Sequence, residues 1–159
     1  ENARLKAETI ANALQIIVLA DDSGLCVDAL EGLPGVYSAR FAGEEKNDAA
    51  NNAKLLSELG GLKGKERAAH FTCCLVLAAP FKESLVVQAE CHGEIATLPS
   101  GDSGFGYDPL FLVPEYQQTF AELGMDIKNK ISHRAKAIEL LVEKWEQWTN
   151  SIEAVEETE

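Results

Sequence analysis

The chain has 159 residues, of which 46% are hydrophobic and 25% charged, which is typical of a globular domain large enough for a hydrophobic core. Its formal net charge of −12 argues against nonspecific binding to a nucleic-acid backbone. A divalent metal and a few local cations could still let one cleft accept a small phosphorylated ligand. The longest nearly unbroken apolar run, residues 73–81, contains a proline and is too short to span a bilayer.

The cysteines and the last residues indicate one reduced domain followed by a polar tail. The four cysteines form no CxxC pair, and Cys73 and Cys74 are adjacent on a predicted strand. We therefore expect buried, reduced thiols and a cytoplasmic protein. Residues 151–159 carry four glutamates and little that is apolar. We expect a single domain over residues 1–150 and an acidic disordered tail after it.

The first half of the chain predicts a helix, a strand and a second helix. Apolar residues recur at helical spacing over residues 2–14, which predicts an amphipathic helix. The β-branched run at residues 16–20 predicts a buried strand. Asp48 is the expected N-cap of a helix that Gly60 and Gly61 end.

The second half predicts a β-hairpin, a short strand and a long helix. Residues 71–79 and 85–97 are expected to pair as a hairpin, and residues 110–113 to form a short strand. Ser132 is the expected cap of the last helix. Its predicted core-facing residues are Ile138, Leu141, Val142, Trp145 and Trp148. Because helices and strands do not alternate strictly, we expect an α/β domain with a mixed central β-sheet flanked by helices.

Two adjacent carboxylates, Asp21 and Asp22, follow the first predicted strand and precede Ser23 and Gly24. A carboxylate at the end of a buried strand points into the crevice where α/β sheets bind ligands. Adjacent side chains on an extended backbone face opposite ways, so one could hold Mg²⁺ or activate a water while the other anchors the turn. An ordinary Asp-Ser-Gly turn without a ligand is the alternative interpretation.

The segment GDSGFGYDP, residues 101–109, embeds Phe105 and Tyr107 among three glycines. Two aromatic rings in such a loop could form a stacking surface for a planar base, with Asp108 fixing the edge of the base or a sugar. The alternative is an Ω-loop that is packed by its own aromatic side chains.

The segment KNKISHRAKA, residues 128–137, gathers cations around the start of the last helix. They are Lys128, Lys130, Arg134 and Lys136, with His133 among them. A helix N-terminus offers free N–H groups and a positive dipole end, both of which favour a phosphate. The alternative is a solvated, charged helix face without a ligand.

The order of these three segments resembles the inosine triphosphate pyrophosphatase family, the Ham1-like pyrophosphatases of non-standard purine nucleoside triphosphates. The resemblance lies in ADDSGLCVDALEGLPGVYSARF, then GFGYDPLF, then AELGMDIKNKISHRAKA, and it extends from Glu1 to about Trp148. It implies a Mg²⁺-dependent hydrolysis of ITP, dITP and XTP to the monophosphate and pyrophosphate. It also implies a homodimer.

The resemblance further implies roles for individual residues. Asp22 would be the metal ligand and the catalytic proton acceptor for the attacking water. Lys6 would lie near the triphosphate, and Ser23 would touch the substrate. The residues implied to hold the rest of the nucleotide are Phe105, Gly106, Tyr107, Asp108, Lys128, His133 and Arg134.

The sequence also departs from the family pattern at its start. The family normally begins upstream of Glu1, with a strand, a Thr/Ser-x-Asn-x-x-Lys turn that grips the phosphates, and a further acidic residue for the metal. Because this sequence lacks those parts, we expect hydrolysis to be impaired. The alternative hypothesis is a non-catalytic nucleotide-binding or dimerising remnant of the same family.

Overall fold

The computed structural model describes the backbone of residues 2–158 and the side chains of residues 3–150. Five antiparallel strands form one sheet in the order β1-β2-β3-β4-β5. The strands are β1 (Val18–Val27), β2 (Ala68–Ala78), β3 (Leu85–Ile95), β4 (Phe111–Val113) and β5 (Gln118–Thr119). The α-helices are α1 (Asn2–Leu14), α2 (Asp48–Glu58), α3 (Phe120–Leu123), α4 (Met125–Ile131) and α5 (His133–Thr158). Three 3-10 helices lie at Asp28–Leu30, Gly35–Arg40 and Gly64–Arg67.

The α/β class is confirmed, but the described sheet is antiparallel rather than mixed. Each described strand pairs with the next strand along the chain. The expected hairpin is present, because β2 and β3 pair from Ala68 opposite Glu94 to Leu77 opposite Leu85. The short connections between β2 and β3 and between β4 and β5 require antiparallel pairing, because parallel neighbours need a long crossover connection.

The first strand extends well past the point where the sequence analysis ended it. β1 continues through both carboxylates, with Asp22 opposite Cys74 and Gly24 opposite Thr72 of β2. The prediction that Asp-Ser-Gly forms a turn was therefore wrong, because the ladder with β2 holds this segment extended. Gly24 is needed for packing, since a Cβ atom there would lie 2.6 Å from the carbonyl oxygen of Gly35.

The helix starts are close to the predicted ones. α1 covers the predicted residues. α2 is capped by Asn47, whose Oδ1 accepts from the Ala50 N–H at 3.0 Å, so Asp48 is the first helical residue rather than the cap. The amide oxygen of Asn47 is placed to reach the free N–H groups of the first turn. Ser132 has its predicted role, because its Oγ accepts from the Ala135 N–H at 3.1 Å.

The two long helices cover opposite faces of the sheet. α1 packs through Ala3, Ala7 and Ala11 on Val76 and Ala78, and these small side chains let the helix lie close to the strands. α5 covers the other face, with Ala137 against Cys73, Leu75 and Val87 and with Trp148 against Leu77 and Ala79. A larger aromatic core lies at the end of the sheet next to the cavity described below, where the Phe71 and Phe111 rings are 4.5 Å apart.

Two of the five residues predicted for the core face of α5 pack on the sheet. Leu141 and Trp148 pack on the sheet, whereas Ile138, Val142 and Trp145 are 48%, 67% and 44% exposed. The helix is turned so that its contact line passes through Ala137 and Leu141, because the small Ala137 allows the closest approach to β2.

The end of α5 overlaps the segment in which the acidic disordered tail was expected. The helix continues as backbone to Thr158, and so it includes most of residues 151–159. The side chains of those residues lie outside the described residues, and disorder of the tail stays a prediction. None of the described helices combines the length and the hydropathy that a membrane span requires.

Candidate active site

The three segments singled out in the sequence meet at one cavity of about 400 Å³. Predicted site residues that line it are Ser23, Phe105, Gly106, Tyr107, Asp108, Lys128, His133 and Arg134. Its walls come from β1, the Gly35–Arg40 segment, the start of α2, the loop before β4, and the α4–α5 junction. This volume lies within the range of small-molecule binding sites.

The two carboxylates of β1 face opposite sides of the sheet, as expected for an extended backbone. Arg134 donates from Nη2 to Asp21 Oδ2 at 3.1 Å and to Ser23 Oγ at 3.4 Å, so Asp21 lies on the cavity side beneath α5. Asp22 is exposed and, by strand alternation, lies on the α1 side. The described residues give Asp22 no ion pair or side-chain hydrogen bond. Asp21 is therefore the anchoring carboxylate and Asp22 the free one.

A buried ion pair forms the base of the cavity. Lys128 Nζ lies 2.6 Å from Asp108 Oδ2, and the two side chains are 9% and 4% exposed. The same carboxylate oxygen accepts from the Phe105 N–H at 3.0 Å, and Lys128 Nζ lies 4.4 Å from the centroid of the Phe105 ring. The pair therefore holds the 105–108 turn against α4, in addition to any contact with a ligand.

The two aromatic residues of this loop have different environments. The Phe105 ring is 61% exposed at the mouth of the cavity. Tyr107 is buried and donates from its Oη to the Ser38 carbonyl at 2.6 Å, and burial raises the pKa of its phenol. Phe105 is thus available for stacking on a ligand, whereas Tyr107 is part of the wall.

His133 is a buried, neutral side chain in the cavity wall. Its ring stacks on Phe71 at 4.8 Å, and its Nδ1 is buried without a hydrogen-bond partner among the described residues. Burial, followed by the charges of Arg134, Lys128 and Lys136, lowers the pKa of His133 to about 4. A neutral imidazole offers one N–H donor and one acceptor nitrogen, so it can bind the edge of a ligand.

This lowered pKa predicts a pH-dependent stability. The folded-state pKa lies below the unfolded value of about 6.5, so His133 stabilises the fold fully above that pH and less as the pH falls toward 4. Between about pH 7.5 and about pH 5, we expect this group alone to remove about 2 kcal/mol from the unfolding free energy. Urea titrations of wild type and His133→Gln would measure it, because only wild type carries this slope. Equal pH dependence in both proteins would contradict the prediction.

Most of the predicted basic cluster already has partners inside the protein. Lys128 pairs with Asp108, Arg134 pairs with Asp21, and Lys136 Nζ donates to the Glu90 carbonyl at 3.2 Å. The start of α5 is therefore less positive than the sequence suggests. Lys6 is exposed on α1 and, like Asp22, does not line the cavity.

Several cavity residues were missed by the sequence analysis. They are Ser38, Asp48, Asn51, Met125, Asn129 and Ile138. The run DAANN, residues 48–52, was interpreted only as a helix start, although three of its five side chains are polar and could have indicated a buried polar face. Among residues 3–150, no three His, Cys, Asp and Glu side chains are grouped so that they could hold a metal ion.

Comparisons with known proteins agree on one family. The model of the Ham1 family matches residues 1–144. The dITP/XTP pyrophosphatase of Geobacillus kaustophilus (strain HTA426) is 56% identical over 147 residues, which cover 92% of this chain and 72% of that protein. A dITP/XTP pyrophosphatase of Streptococcus pyogenes serotype M18 is 58% identical over 149 residues, which cover 93% of this chain and 45% of that protein.

Solved structures give the same result for the fold. The Ham1 protein of Staphylococcus aureus superposes with a TM-score of 0.88 at 49% identity, and the match covers 92% of this chain and 75% of that one. A dITP/XTP pyrophosphatase from Mycobacterium abscessus superposes with a TM-score of 0.79 at 42% identity, covering 88% of this chain and 71% of that one.

Proposed function

Since the chain belongs to the Ham1 family, we propose that it hydrolyses non-standard purine nucleoside triphosphates (ITP, dITP and XTP) to the monophosphate and pyrophosphate. The observation that carries this proposal is the convergence of three distant segments on one cavity of about 400 Å³, with a stacking ring at its mouth and a neutral imidazole in its wall. Such a cavity is of the size and chemistry that a purine base and its sugar require.

The base would stack on Phe105 and present its edge to His133. A purine 6-oxo group accepts a hydrogen bond, whereas the 6-amino group of adenine donates one. If His133 presents its N–H to this position, adenine places a donor against a donor in a buried site. Such a mismatch costs about 1–3 kcal/mol, or roughly tenfold to a hundredfold in affinity. The buried, otherwise unpaired ring nitrogen of His133 supports this part of the proposal.

The phosphates would leave the cavity past Ser23 and Arg134 and cross the edge of the sheet. β1 is an edge strand of the described sheet, and the contacts on its outer side lie near its end, with the Cys26–Pro34 bridge and the Leu25 N–H donating to Ser38 Oγ at 2.9 Å. A phosphate chain that crosses this edge comes to Asp22, whose carboxylate has no partner there. Asp22 would orient the attacking water and take its proton.

The donor chemistry at Asp22 fits Mg²⁺. This ion commonly binds one or two carboxylates together with substrate phosphates and waters. One free carboxylate among the described residues is therefore enough to hold it. Mg²⁺ supplies neutralisation of the phosphate charge. Asp22 would hold it, and Lys6 and Arg134 would add positive charge near the phosphates.

The proposal includes a homodimer in the cytoplasm. Three apolar side chains of the segment 33–37 are exposed, with values of 46% for Leu33, 69% for Val36 and 57% for Tyr37. Their exposure favours an interface with another copy of the chain. The four cysteines are free thiols, which suits a reducing compartment. Light scattering at several protein concentrations tests the dimer.

One observation favours a second candidate function, which is nucleotide binding without hydrolysis. Asp22, the residue that would hold the metal, does not line the cavity that would hold the base. A chain that binds the base in the cavity but holds no metal at Asp22 would bind ITP and release no pyrophosphate.

Replacing Asp22 by asparagine separates the two functions. We expect pyrophosphate release from ITP with Mg²⁺ to fall about 100-fold or more, because asparagine cannot accept the proton of the attacking water. Wild type should act on ATP roughly tenfold to a hundredfold more slowly than on ITP. The measurement is the initial rate of pyrophosphate release with each nucleotide.

Asp21→Asn is the matched control, because it changes the adjacent carboxylate on the other face of the same strand. We expect it to lower the rate less than about tenfold, since it weakens one exposed pair with Arg134. Equal losses in both variants would contradict the role of Asp22. No release by wild type at high protein concentration would leave nucleotide binding as the function.

A further inference from the structure

Two side chains on one face of α2 hold both backbone groups of Gly106. Asp48 Oδ2 accepts from the Gly106 N–H at 3.0 Å, and Asn52 Nδ2 donates to the Gly106 carbonyl at 3.1 Å. Asp48 and Asn52 are four residues apart, so their side chains lie one above the other on the helix. We call this arrangement the Gly106 clamp.

The clamp acts beside Phe105, the exposed ring at the mouth of the cavity. Gly106 has a φ of +60° and no atom within 4 Å of where its Cβ would be, so the backbone makes a left-handed turn there with free space beside it. Phe105, the exposed ring at the cavity mouth, is the residue immediately before it. The Gly106 peptide groups, together with the Asp108 carboxylate that accepts from the Phe105 N–H, therefore set where the Phe105 ring lies at the cavity mouth.

Asn51, the residue before Asn52 in α2, holds another segment that lines the cavity. Asn51 is buried, accepts from the Ala42 N–H at 2.8 Å and donates to the Ala39 carbonyl at 3.0 Å. Ala39 also lines the cavity, next to Ser38, whose carbonyl accepts from Tyr107 Oη. Asn51 and Asn52 therefore fix two segments of chain that both line the cavity to the same helix.

We propose that Asp48 and Asn52 are positioning residues that set nucleotide affinity by holding the Phe105–Gly106 turn at the mouth of the cavity. The proposal rests on the proposed function, in that the nucleotide is the ligand of this cavity. Neither residue was implied by the family resemblance, and neither needs to touch the reacting phosphates. Their loss should therefore weaken binding more than it slows the chemical step.

The clamp is expected to matter more for binding than for folding. Gly106 is half-buried and Asp48 is exposed, so water can replace the lost hydrogen bonds in a variant. Asn52 Oδ1 is buried without a partner among the described residues, so replacement by leucine also removes an unsatisfied polar atom. Both variants should fold, which makes a loss of affinity interpretable.

The experiment compares Asp48→Ala, Asn52→Leu and the double variant with wild type. KM and kcat for ITP and the dissociation constant for ITP without Mg²⁺ are measured. We expect each single variant to raise KM and the dissociation constant about fivefold to tenfold and to change kcat less than about twofold. The double variant should raise KM and the dissociation constant more than either single variant does, but by less than the product of the two single fold-changes, because both side chains act on one residue.

Two matched variants separate positioning from charge and from helix stability. Asp48→Asn keeps an acceptor for the Gly106 N–H and should stay within about twofold of wild type. Glu58→Gln removes a carboxylate from the far end of α2 and should change nothing. Hydrogen exchange of residues 101–109 in the unliganded protein should be about tenfold faster in Asn52→Leu than in wild type.

Each outcome decides between the proposals. Folded Asp48→Ala and Asn52→Leu proteins with wild-type affinity and wild-type exchange would overturn the clamp. The clamp would also be overturned if Glu58→Gln weakened ITP binding as much as Asp48→Ala and Asn52→Leu do. A wild type that binds ITP but releases no pyrophosphate refutes hydrolysis alone, since the dissociation constants still test the clamp. If wild type does not bind ITP, the proposed function and the role of the clamp in nucleotide affinity are both overturned. The exchange rates then show only whether Asp48 and Asn52 hold the 105–106 turn.

Discussion

Lys128→Met is expected to lower the free energy of unfolding by about 3–5 kcal/mol. The change leaves the Asp108 carboxylate buried beneath the cavity without its counter-charge, at a position where the side chain is only 4% exposed. Methionine has about the length and apolar stem of lysine. The loss of unfolding free energy therefore measures the removal of the charge rather than a change in packing. Chemical denaturation of both proteins at neutral pH measures it.

Lys130→Met is the matched control, because Lys130 is an exposed lysine of the same short helix. It should change the unfolding free energy by less than about 0.5 kcal/mol. Adding Asp108→Asn to Lys128→Met should restore part of the lost stability, because the remaining buried carboxylate becomes neutral and still accepts from the Phe105 N–H. A single variant as stable as wild type would mean that the pair is not buried as described.

Arg67→Met is expected to cost about 3 kcal/mol or more. The Arg67 side chain is buried, and its guanidinium donates to four backbone carbonyls. The acceptors and distances are Ile95 at 2.6 Å, Ala96 at 2.9 Å, Leu59 at 3.0 Å and Leu62 at 3.2 Å. These carbonyls belong to the end of β3 and to the chain that leaves α2, so the loss should separate two parts of the core.

A lysine two positions earlier provides the control for Arg67. Lys65 is exposed in the same 3-10 helix, and Lys65→Met should be within about 0.5 kcal/mol of wild type. Arg67→Lys should have an unfolding free energy between those of wild type and Arg67→Met. One ammonium group cannot donate to all four carbonyls that the planar guanidinium binds together. If Arg67→Lys were as stable as wild type, the charge alone rather than the fork of donors would explain the role of this residue.

Periodicity and capping predicted the local elements well. α1 and the hairpin of β2 and β3 follow from apolar spacing and from strand composition, and Ser132 caps the last helix as predicted. These features depend on residues close in sequence, so short-range chemistry is enough to predict them. The three site segments were also recognisable in the sequence because each one combines unusual residue types within a few positions.

Features that depend on distant partners were predicted less well. Asp-Ser-Gly is a common turn in isolation, but pairing with β2 extends it as strand. Ile138, Val142 and Trp145 fit a core-facing stripe, yet α5 packs on the sheet through Ala137 instead. In both cases the tertiary environment overrides a valid local preference.

The amino-acid sequence by itself determined most of the element types, the family and eight of the residues that line the cavity, because these are properties of local patterns and ordered motifs. Only the tertiary structure decided which charges are free. Lys128 is neutralised by Asp108 and Arg134 pairs with Asp21, whereas Asp22 has no partner among the described residues. The Gly106 clamp likewise joins residues more than fifty positions apart. Such pairings depend on which surfaces the sheet and helices bring together, and no local pattern encodes that distance.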